Sequence, residues 1–329
     1  MSDDSRASRI AVVGAGRMGR GISLSFAFSG YSVQLCDSEE REAKAFAALA
    51  ASVAQELDTE LGFLQHLQLL SSEQAQKIAA RITVVARPLA AEPLAGADFV
   101  FEAVAEVLEI KQSTYEWLNT VVSGKAVIGS TTSTMLVNSL ARFVDNSSHF
   151  LNTHWLNPAL LMPLVEMSPG DKTSDEAIAS MKALLVSIGK QPVICAASPG
   201  FIVPRIQALA MTEAARCVEE GVASAEDVDK AIRIGFGVRY AVLGLLEFID
   251  WGGGDIVYYA TKYLAANLDD KRFSVPGIIE KNMRENHNGM RDGQGFYDYR
   301  ERDVDAYRQQ RMGDFVKLLQ HLSLLPEAK

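Results

Sequence analysis

Arg9-Ile-Ala-Val-Val-Gly-Ala-Gly-Arg-Met-Gly-Arg20 decides the fold of this chain. Ile10 to Val13 are an apolar run of the length of a buried strand. Gly14, Gly16 and Gly19 follow at G-x-G-x-x-G spacing, and Ile22 to Phe28 continue as an apolar helix. Each glycine has a physical task. Gly14 lets the chain turn sharply out of the strand, Gly16 lets a pyrophosphate approach the backbone, and Gly19 lets the helix pack tightly. Phosphates then meet the unpaired N–H groups and the positive end of that helix, which makes Arg17 and Met18 candidate cofactor contacts together with the glycines. A second strand, Tyr31 to Cys36, ends in Asp37, which lies 18 residues after Gly19. A carboxylate there accepts from a ribose 2′-OH and repels a 2′-phosphate, so NAD is the expected cofactor. Strand, helix and acid together favour a dinucleotide site over an ordinary glycine-rich turn.

The pattern continues outward from this unit. Glu39 to Glu60 and Leu61 to Ala80 read as two helical stretches, with Ser71-Ser72-Glu73 as an N-cap inside the second. They form a helical insertion at about 39–80. Strands are expected at Arg81 to Ala86, Ala97 to Val104, Ala126 to Ser130, His149 to His154, Pro163 to Met167 and Pro192 to Cys195. Helices are expected at Glu109 to Val122, Met135 to Phe143 and Ser174 to Ile188. Such alternation predicts an α/β Rossmann-type doubly wound, mostly parallel sheet. After Ser198-Pro199-Gly200 the pattern is helical only, at Phe201 to Gly221, Ser224 to Ile234, Tyr240 to Ile249, Asp255 to Ala266, Val275 to Asn286 and Val304 to Leu322. Asp269 to Ser274 reads as a polar loop. The expected division is therefore 1–197, dinucleotide-binding, and 198–329, an all-α C-terminal domain.

Composition narrows the function. The 329 residues carry a net charge of −9, which argues against nucleic acid or an anionic membrane as partner. Three cysteines (Cys36, Cys195, Cys217) have no metal-ligand spacing and fit reduced thiols in the cytoplasm. The segment Met1 to Arg9 resembles neither a signal nor a transit peptide, and no apolar run is long enough to span a bilayer. Cytoplasmic location is the expectation, and no metal is expected.

A dinucleotide fold makes hydride transfer the leading chemistry, and that needs a group to take the hydroxyl proton. There are five histidines. His66, His321, His287 and His149 sit among polar neighbours and read as surface residues. His154, in Asn152-Thr-His-Trp-Leu-Asn-Pro158, lies at a strand end, where polar residues of an open α/β sheet face the ligand crevice. Glu166 lies in Pro163-Leu-Val-Glu-Met167, flanked by apolar residues, so it needs a partner. A His154–Glu166 pair across adjacent strands satisfies both. From these residues alone the pair is either catalytic or structural.

Six motifs carry a resemblance to the L-3-hydroxyacyl-CoA dehydrogenase superfamily over nearly the whole chain. They are the glycine loop with Asp37; Glu102-Ala-Val-Ala-Glu-Val-Leu-Glu-Ile-Lys111; Ser130-Thr-Thr-Ser-Thr134; His154-Trp-Leu-Asn-Pro158 with Leu164-Val-Glu166; Pro199-Gly-Phe-Ile-Val203; and Gly293-Gln-Gly-Phe-Tyr297. His154 and Glu166 are 12 apart, and Ser133 precedes His154 by 21. The resemblance implies that Ser133 hydrogen-bonds the substrate oxygen and that His154 is general base in oxidation and general acid in reduction. It further implies that Glu166 orients His154 and favours its charged form, that Asn157 lines the pocket, and that Glu106 and Lys111 contact the nicotinamide half of NAD. Without it, Glu106 and Lys111 read as a solvated charge pair at a helix start, and Ser133 as a helix cap. A homodimer through the helical domain, a place in fatty acid metabolism and a small 3-hydroxy or 3-oxo substrate are also implied.

Two positions depart from the acyl-CoA pattern. Pro204 stands where the family has an active-site Asn. Gly235-Phe-Gly-Val-Arg-Tyr-Ala-Val-Leu-Gly244 is similar to the L-gulonate 3-dehydrogenase (lambda-crystallin) and carnitine dehydrogenase branches. There Arg239 either binds a free substrate carboxylate or is structural, paired with Glu247 or a helix end. Leu61 to Ala80 also lacks a lysine-rich face for CoA phosphates, holding Lys77 alone. Trp251-Gly-Gly-Gly254 reads as a turn near the subunit contact. A 3-hydroxyacyl thioester is the leading substrate, a free 3-hydroxy acid the alternative, and a non-catalytic NAD(H)-binding structural protein the alternative of another class.

Overall fold

The computed structural model describes residues 8–268 and 271–325. The first seven residues, part of the expected non-signal N-terminus, and residues 269 and 270 of the expected polar loop lie outside them. The chain divides into two compact units, Met1–Leu209 and Ala210–Lys329.

In the first unit, each apolar run becomes a strand of one sheet: β1 (Ile10–Val13), β2 (Val33–Cys36), β3 (Ile82–Val85), β4 (Phe99–Glu102), β5 (Val127–Ser130), β6 (Phe150–Trp155), β7 (Leu164–Pro169) and β8 (Gln191–Ile194). The eight-stranded order is β3-β2-β1-β4-β5-β6-β7-β8. Strands β1 to β6 are parallel, β7 runs antiparallel to β6, and β8 is parallel to β7. The order reverses between β1 and β4, where Val13 is level with both Cys36 and Glu102. That is the switch point where open α/β sheets take ligands.

The strands read as continuous apolar runs because both faces are covered. Ile10 and Val12 join one core with Phe26, Leu35, Phe101, Trp155 and Met181, while Ala11 and Val13 join the other with Val100, Tyr115, Leu118 and Phe150. On the first face lie α1 (Arg17–Phe28), α2 (Ala43–His66), α3 (Ser72–Ala79) and, later in the chain, α7 (Asp175–Ser187); on the second lie α4 (Ala91–Gly96), α5 (Leu108–Val121) and α6 (Val137–Ala141).

The insertion differs from expectation in one respect. The first helix does not stop at Glu60, because the buried stripe Val53, Leu57, Leu61, Leu64 runs on through Gly62 to the end of α2. The cap of α3 lies where the sequence puts it: the Ser71 side chain accepts from the Gln74 N–H, and Gln74 returns a bond to the Ser71 N–H.

The chain from β8 onward is helical: α8 (Val203–Glu219), within which the division between units falls, α9 (Ala225–Ala231), α10 (Val238–Val242), α11 (Leu245–Gly252), α12 (Gly254–Asn267), α13 (Gly277–Glu285) and α14 (Val304–His321). A π-helical stretch, Ile232–Gly237, joins α9 to α10. The single helix expected over 240–249 is two, because Leu243 is extended and buried and Gly244 starts α11 in an extended conformation. Trp251-Gly-Gly-Gly254 ends α11 and opens α12, with the Gly254 N–H donating to the Asn288 carbonyl. Among the described residues, no helix is long and apolar enough to cross a membrane.

Candidate active site

The glycine loop leaves β1 at Gly14, whose φ is +106°. Its N–H donates to the Cys36 carbonyl, and a Cβ there would stand 2.6 Å from the Ala103 carbonyl oxygen. A Cβ on Gly19 would stand 1.8 Å from the Gly14 oxygen, so the first turn of α1 rests directly on the loop. Gly16 is the opposite case: a Cβ there meets no protein atom within 4 Å. The open side of the loop thus lies before the free N–H groups at the start of α1, including those of Arg17 and Met18, a cradle that fits a pyrophosphate. Arg20 braces the loop, donating to the Ala15 carbonyl and pairing with Glu56.

Asp37 follows the end of β2 and is nearly buried. Its Oδ1 accepts from the Glu39 N–H at 3.1 Å and its Oδ2 from Arg41 Nε at 2.7 Å. Arg41 also pairs with Glu39. Arg41 is a neighbour that the sequence reading did not name.

A buried carboxylate anchors the next part of the edge. Glu102, wholly buried at the end of β4, accepts from Lys111 Nζ at 2.8 and 3.0 Å, Tyr115 OH at 2.5 Å, Ser130 Oγ at 2.7 Å and the Val104 N–H at 2.9 Å. Burial and the Glu102 charge push the Tyr115 hydroxyl well above its usual pKa, so it stays a donor. Lys111 is also 3.4 Å from Glu106. Glu106 in turn accepts from the Thr132 and Thr134 hydroxyls and from the Ser133 and Thr134 N–H groups, the last two at 3.1 Å. Burial pushes the Glu106 pKa up, but the Thr132 bond, the Lys111 charge and the Thr134 bonds together leave it below the usual value.

This corrects one reading of Lys111. It is not a solvated charge: its side chain is 0% exposed. Helix α5 turns it inward because Glu102 waits beneath, and it reaches the site through Glu106. The signal for Glu102 was available, a single acid in the otherwise apolar Phe99-Val-Phe-Glu102.

His154, on β6, stands directly opposite Glu166 on β7. Because β7 runs antiparallel, its first residues border the same edge as the last residues of β6. His154 Nδ1 lies 2.7 Å from Glu166 Oε2, and both residues are buried. Glu166 Oε1 accepts from the Ile202 and Val203 N–H groups at 2.9 and 2.8 Å. Those are the entry to α8, whose positive end suits a carboxylate. Gly200 (φ +74°) and Phe201 (φ +47°) make the turn that aims both N–H groups, and the Phe201 ring stacks on His154 at 5.4 Å. Phe201 lies in the Pro199-Gly-Phe-Ile-Val203 motif, but the motif did not mark it as a neighbour of His154. A carboxylate only accepts, so Nδ1 carries the proton of a neutral imidazole and Nε2 is left as an acceptor.

Ser133 follows the end of β5 and His154 lies near the end of the adjacent parallel β6, the strands being level at Ser130 and Asn152. Ser133 is exposed, and among the described residues no partner takes its hydroxyl. Asn157 is exposed just beyond β6, at a cis bond to Pro158. Pro204 lies in the first turn of α8, where a missing N–H costs nothing. In the helical unit, Arg239 lies over the Phe248 ring at 5.5 Å, and Glu247 pairs with Tyr307 and Arg311 instead of Arg239. The Gly293-Gln-Gly-Phe-Tyr297 motif wraps buried Asp250, which accepts from the Phe296 and Tyr297 N–H groups at 2.9 Å. Among the described residues, no group of three or more His, Cys, Asp or Glu is arranged to hold a metal.

Comparison with known proteins finds matches in both units. A family model described as "3-hydroxyacyl-CoA dehydrogenase, NAD binding domain" matches residues 9–198, and one described as "3-hydroxyacyl-CoA dehydrogenase, C-terminal domain" matches 200–299. The chain is 30% identical over 293 residues to a 3-hydroxybutyryl-CoA dehydrogenase of Bradyrhizobium diazoefficiens, covering 89% of this chain and 95% of that relative. It is 28% identical over 308 residues to a 5-formyl-3-hydroxy-2-methylpyridine 4-carboxylate 5-dehydrogenase of Mesorhizobium japonicum, covering 93% of this chain and 96% of that one. The crystal structure of a 3-hydroxyacyl-CoA dehydrogenase from Archaeoglobus fulgidus matches with a TM-score of 0.74 at 30% identity, covering 97% of this chain and 100% of that one.

Proposed function

This chain belongs to the 3-hydroxyacyl-CoA dehydrogenase family of NAD-dependent oxidoreductases, and from that premise we propose that His154 is the acid–base residue in its interconversion of a 3-hydroxy and a 3-oxo group. The observation that carries this reading is the buried 2.7 Å contact of His154 Nδ1 with Glu166. It leaves Nε2 to take the hydroxyl proton in oxidation and return it in reduction. Glu166, with both oxygens engaged, fixes the ring and stabilises the imidazolium that forms. Ser133, its N–H held by Glu106, offers its hydroxyl to the substrate oxygen, and Asn157 lines the same edge. Gly14, Gly16, Gly19, Arg17, Met18 and Asp37 hold the cofactor, with Glu106 and its neighbour Lys111 toward the nicotinamide half. Bound NAD supplies the hydride acceptor.

The leading substrate is a 3-hydroxyacyl thioester, supported by the names of the Bradyrhizobium and Archaeoglobus relatives. A free acid is the second reading, favoured by the Mesorhizobium relative, named for a pyridine carboxylate, and by Pro204 in place of the family Asn. Arg239 is its candidate carboxylate partner. A panel of 3-oxo thioesters and free 3-oxo acids with NADH separates the two. A kcat/KM higher for acetoacetyl-CoA than for every free acid supports the first reading, and the reverse order overturns it. Arg239→Met raising KM for acids and thioesters alike counts against a carboxylate role.

The finer reading is a cytoplasmic homodimer that handles fatty acyl chains, with a functional division at residue 198. Supporting the dimer, α12 exposes Ile256, Tyr259 and Tyr263 at helical spacing. The net charge supports a partnership with neither nucleic acid nor membrane.

A further inference from the structure

We propose that Lys190 is a positioning residue for this reaction, holding the loop that carries Asn157 and joins the strands of His154 and Glu166. The inference rests on the dehydrogenase reading of that edge. Lys190 is buried, 4% exposed. Its Nζ donates to the carbonyl oxygens of Ala159 at 2.6 Å, Leu160 at 3.0 Å and Met162 at 2.8 Å. An ammonium has three N–H bonds, and all three are used on one short loop.

The sequence turns Lys190 inward by a helix-ending device. Gly189, at φ +77°, donates to the Val186 carbonyl, and the Lys190 N–H donates to the Leu185 carbonyl. That is the paired closure in which glycine reverses the chain after a helix. The next residue, Gln191, donates its N–H to the Pro163 carbonyl, so β8 begins stitched to the loop's far end. At the near end the ammonium lies 5.6 Å from the ring centre of Trp155, the residue after His154, within cation–π range.

A buried cation with no carboxylate among these contacts is costly, and burial lowers the Lys190 pKa from its usual value. An uncharged residue would fill the space at less cost. What the ammonium adds is a three-point hold on residues 159–162, immediately after Asn157. With that hold, the His154–Glu166 register and the Asn157 side chain are fixed from behind the site. Lys190 touches neither substrate nor cofactor and acts through this loop.

The test compares Lys190→Met and Lys190→Gln with the wild-type protein by kinetics with acetoacetyl-CoA, NADH binding by fluorescence, and hydrogen exchange. The expected result is a kcat about ten-fold lower or more, with the Kd for NADH unchanged to within about two-fold. Exchange rises in residues 156–163 and not in β1 or β4. Combining Lys190→Met with Asn157→Ala is expected to cost little beyond Asn157→Ala alone, the mark of a shared path. Folded variants with kcat within about two-fold of wild type, or with exchange raised evenly across the unit, overturn the proposal. The wild-type protein gives the same test without substitution. As pH rises toward the ordinary lysine value of 10.5, residues 156–163 lose protection before β1, and simultaneous loss overturns the clamp. Wild-type protein inactive on every 3-oxo compound counts against the dehydrogenase reading instead, while the exchange comparison still decides the clamp.

Discussion

Glu166 accepts bonds from three donors of different origin: the imidazole of His154 and the two N–H groups that open α8. A glutamine there cannot accept at both ends, so either the imidazole or both N–H groups are left facing a donor. Glu166→Gln is expected to lower kcat by about 10²–10⁴-fold, as loss of tautomer control does in other triads. It is expected to lower stability by about 1–3 kcal/mol through the unpaired donors, read by urea unfolding. Unchanged kcat would return the pair to a structural role. Asp37 has a similar double engagement. Asp37→Ser releases Arg41, whose guanidinium then meets a 2′-phosphate. By fluorescence titration, the Kd for NADH rises about ten-fold and that for NADPH falls, since a charge-assisted bond is lost and another gained. Unmoved affinities for both would show that Asp37 does not select the cofactor. At this scale the His154–Glu166 pair was legible, because two polar residues in apolar strands had to satisfy one another. Lys111 was not, because spacing along a helix tells which residues share a face, not whether a buried acid lies beneath that face.

Among the elements, the first turn of α1 and the loop after β5 carry the sharpest expectations. Gly19→Ala sets a Cβ against the Gly14 carbonyl, a contact no rotamer can relieve. Loss of NADH binding, with folding yield reduced as well, is the expected result, and normal NADH affinity would contradict the packing described. Glu106 governs the loop at 132–134. Its folded pKa lies below the usual 4.5, so its ionised form stabilises the fold. That contribution is fully present above pH 4.5 and is lost as pH falls through the lowered folded value. Glu106→Gln should therefore be less stable than wild type at neutral pH, with the gap closing on acidification below 4.5. A gap in urea midpoint that stays constant with pH would rule this out. Element types were legible throughout the sheet, where apolar runs alternate with helical patterns. The failures came where periodicity and tertiary packing part. Buried Leu61 and Leu64 carry α2 past its expected end, and Leu243-Gly244 breaks a segment whose composition reads as one helix.

For the whole molecule, the cofactor is the natural handle on stability. NADH at about 100 times its Kd is expected to stabilise the fold by about 2.7 kcal/mol, visible as a rise in Tm. Absence of any rise would argue against the Gly16 cradle as a binding site. The doubly wound architecture was legible from one glycine loop and the strands around it, because a parallel sheet with both faces covered leaves a strong apolar signature. The site was legible in its reacting pair and less so in its supports. Phe201 and Lys190 act through contacts between residues far apart in the chain, which spacing along the sequence does not display. The central claim is that His154 moves the substrate proton in an NAD-dependent 3-oxo/3-hydroxy interconversion. It is tested most directly by NADH oxidation with acetoacetyl-CoA, comparing wild type with His154→Gln at matched NADH occupancy. The account predicts turnover by the wild type and a kcat lower by about 10²–10⁴-fold in the variant, with the Kd for NADH unchanged. A variant that keeps near-full rate would contradict it.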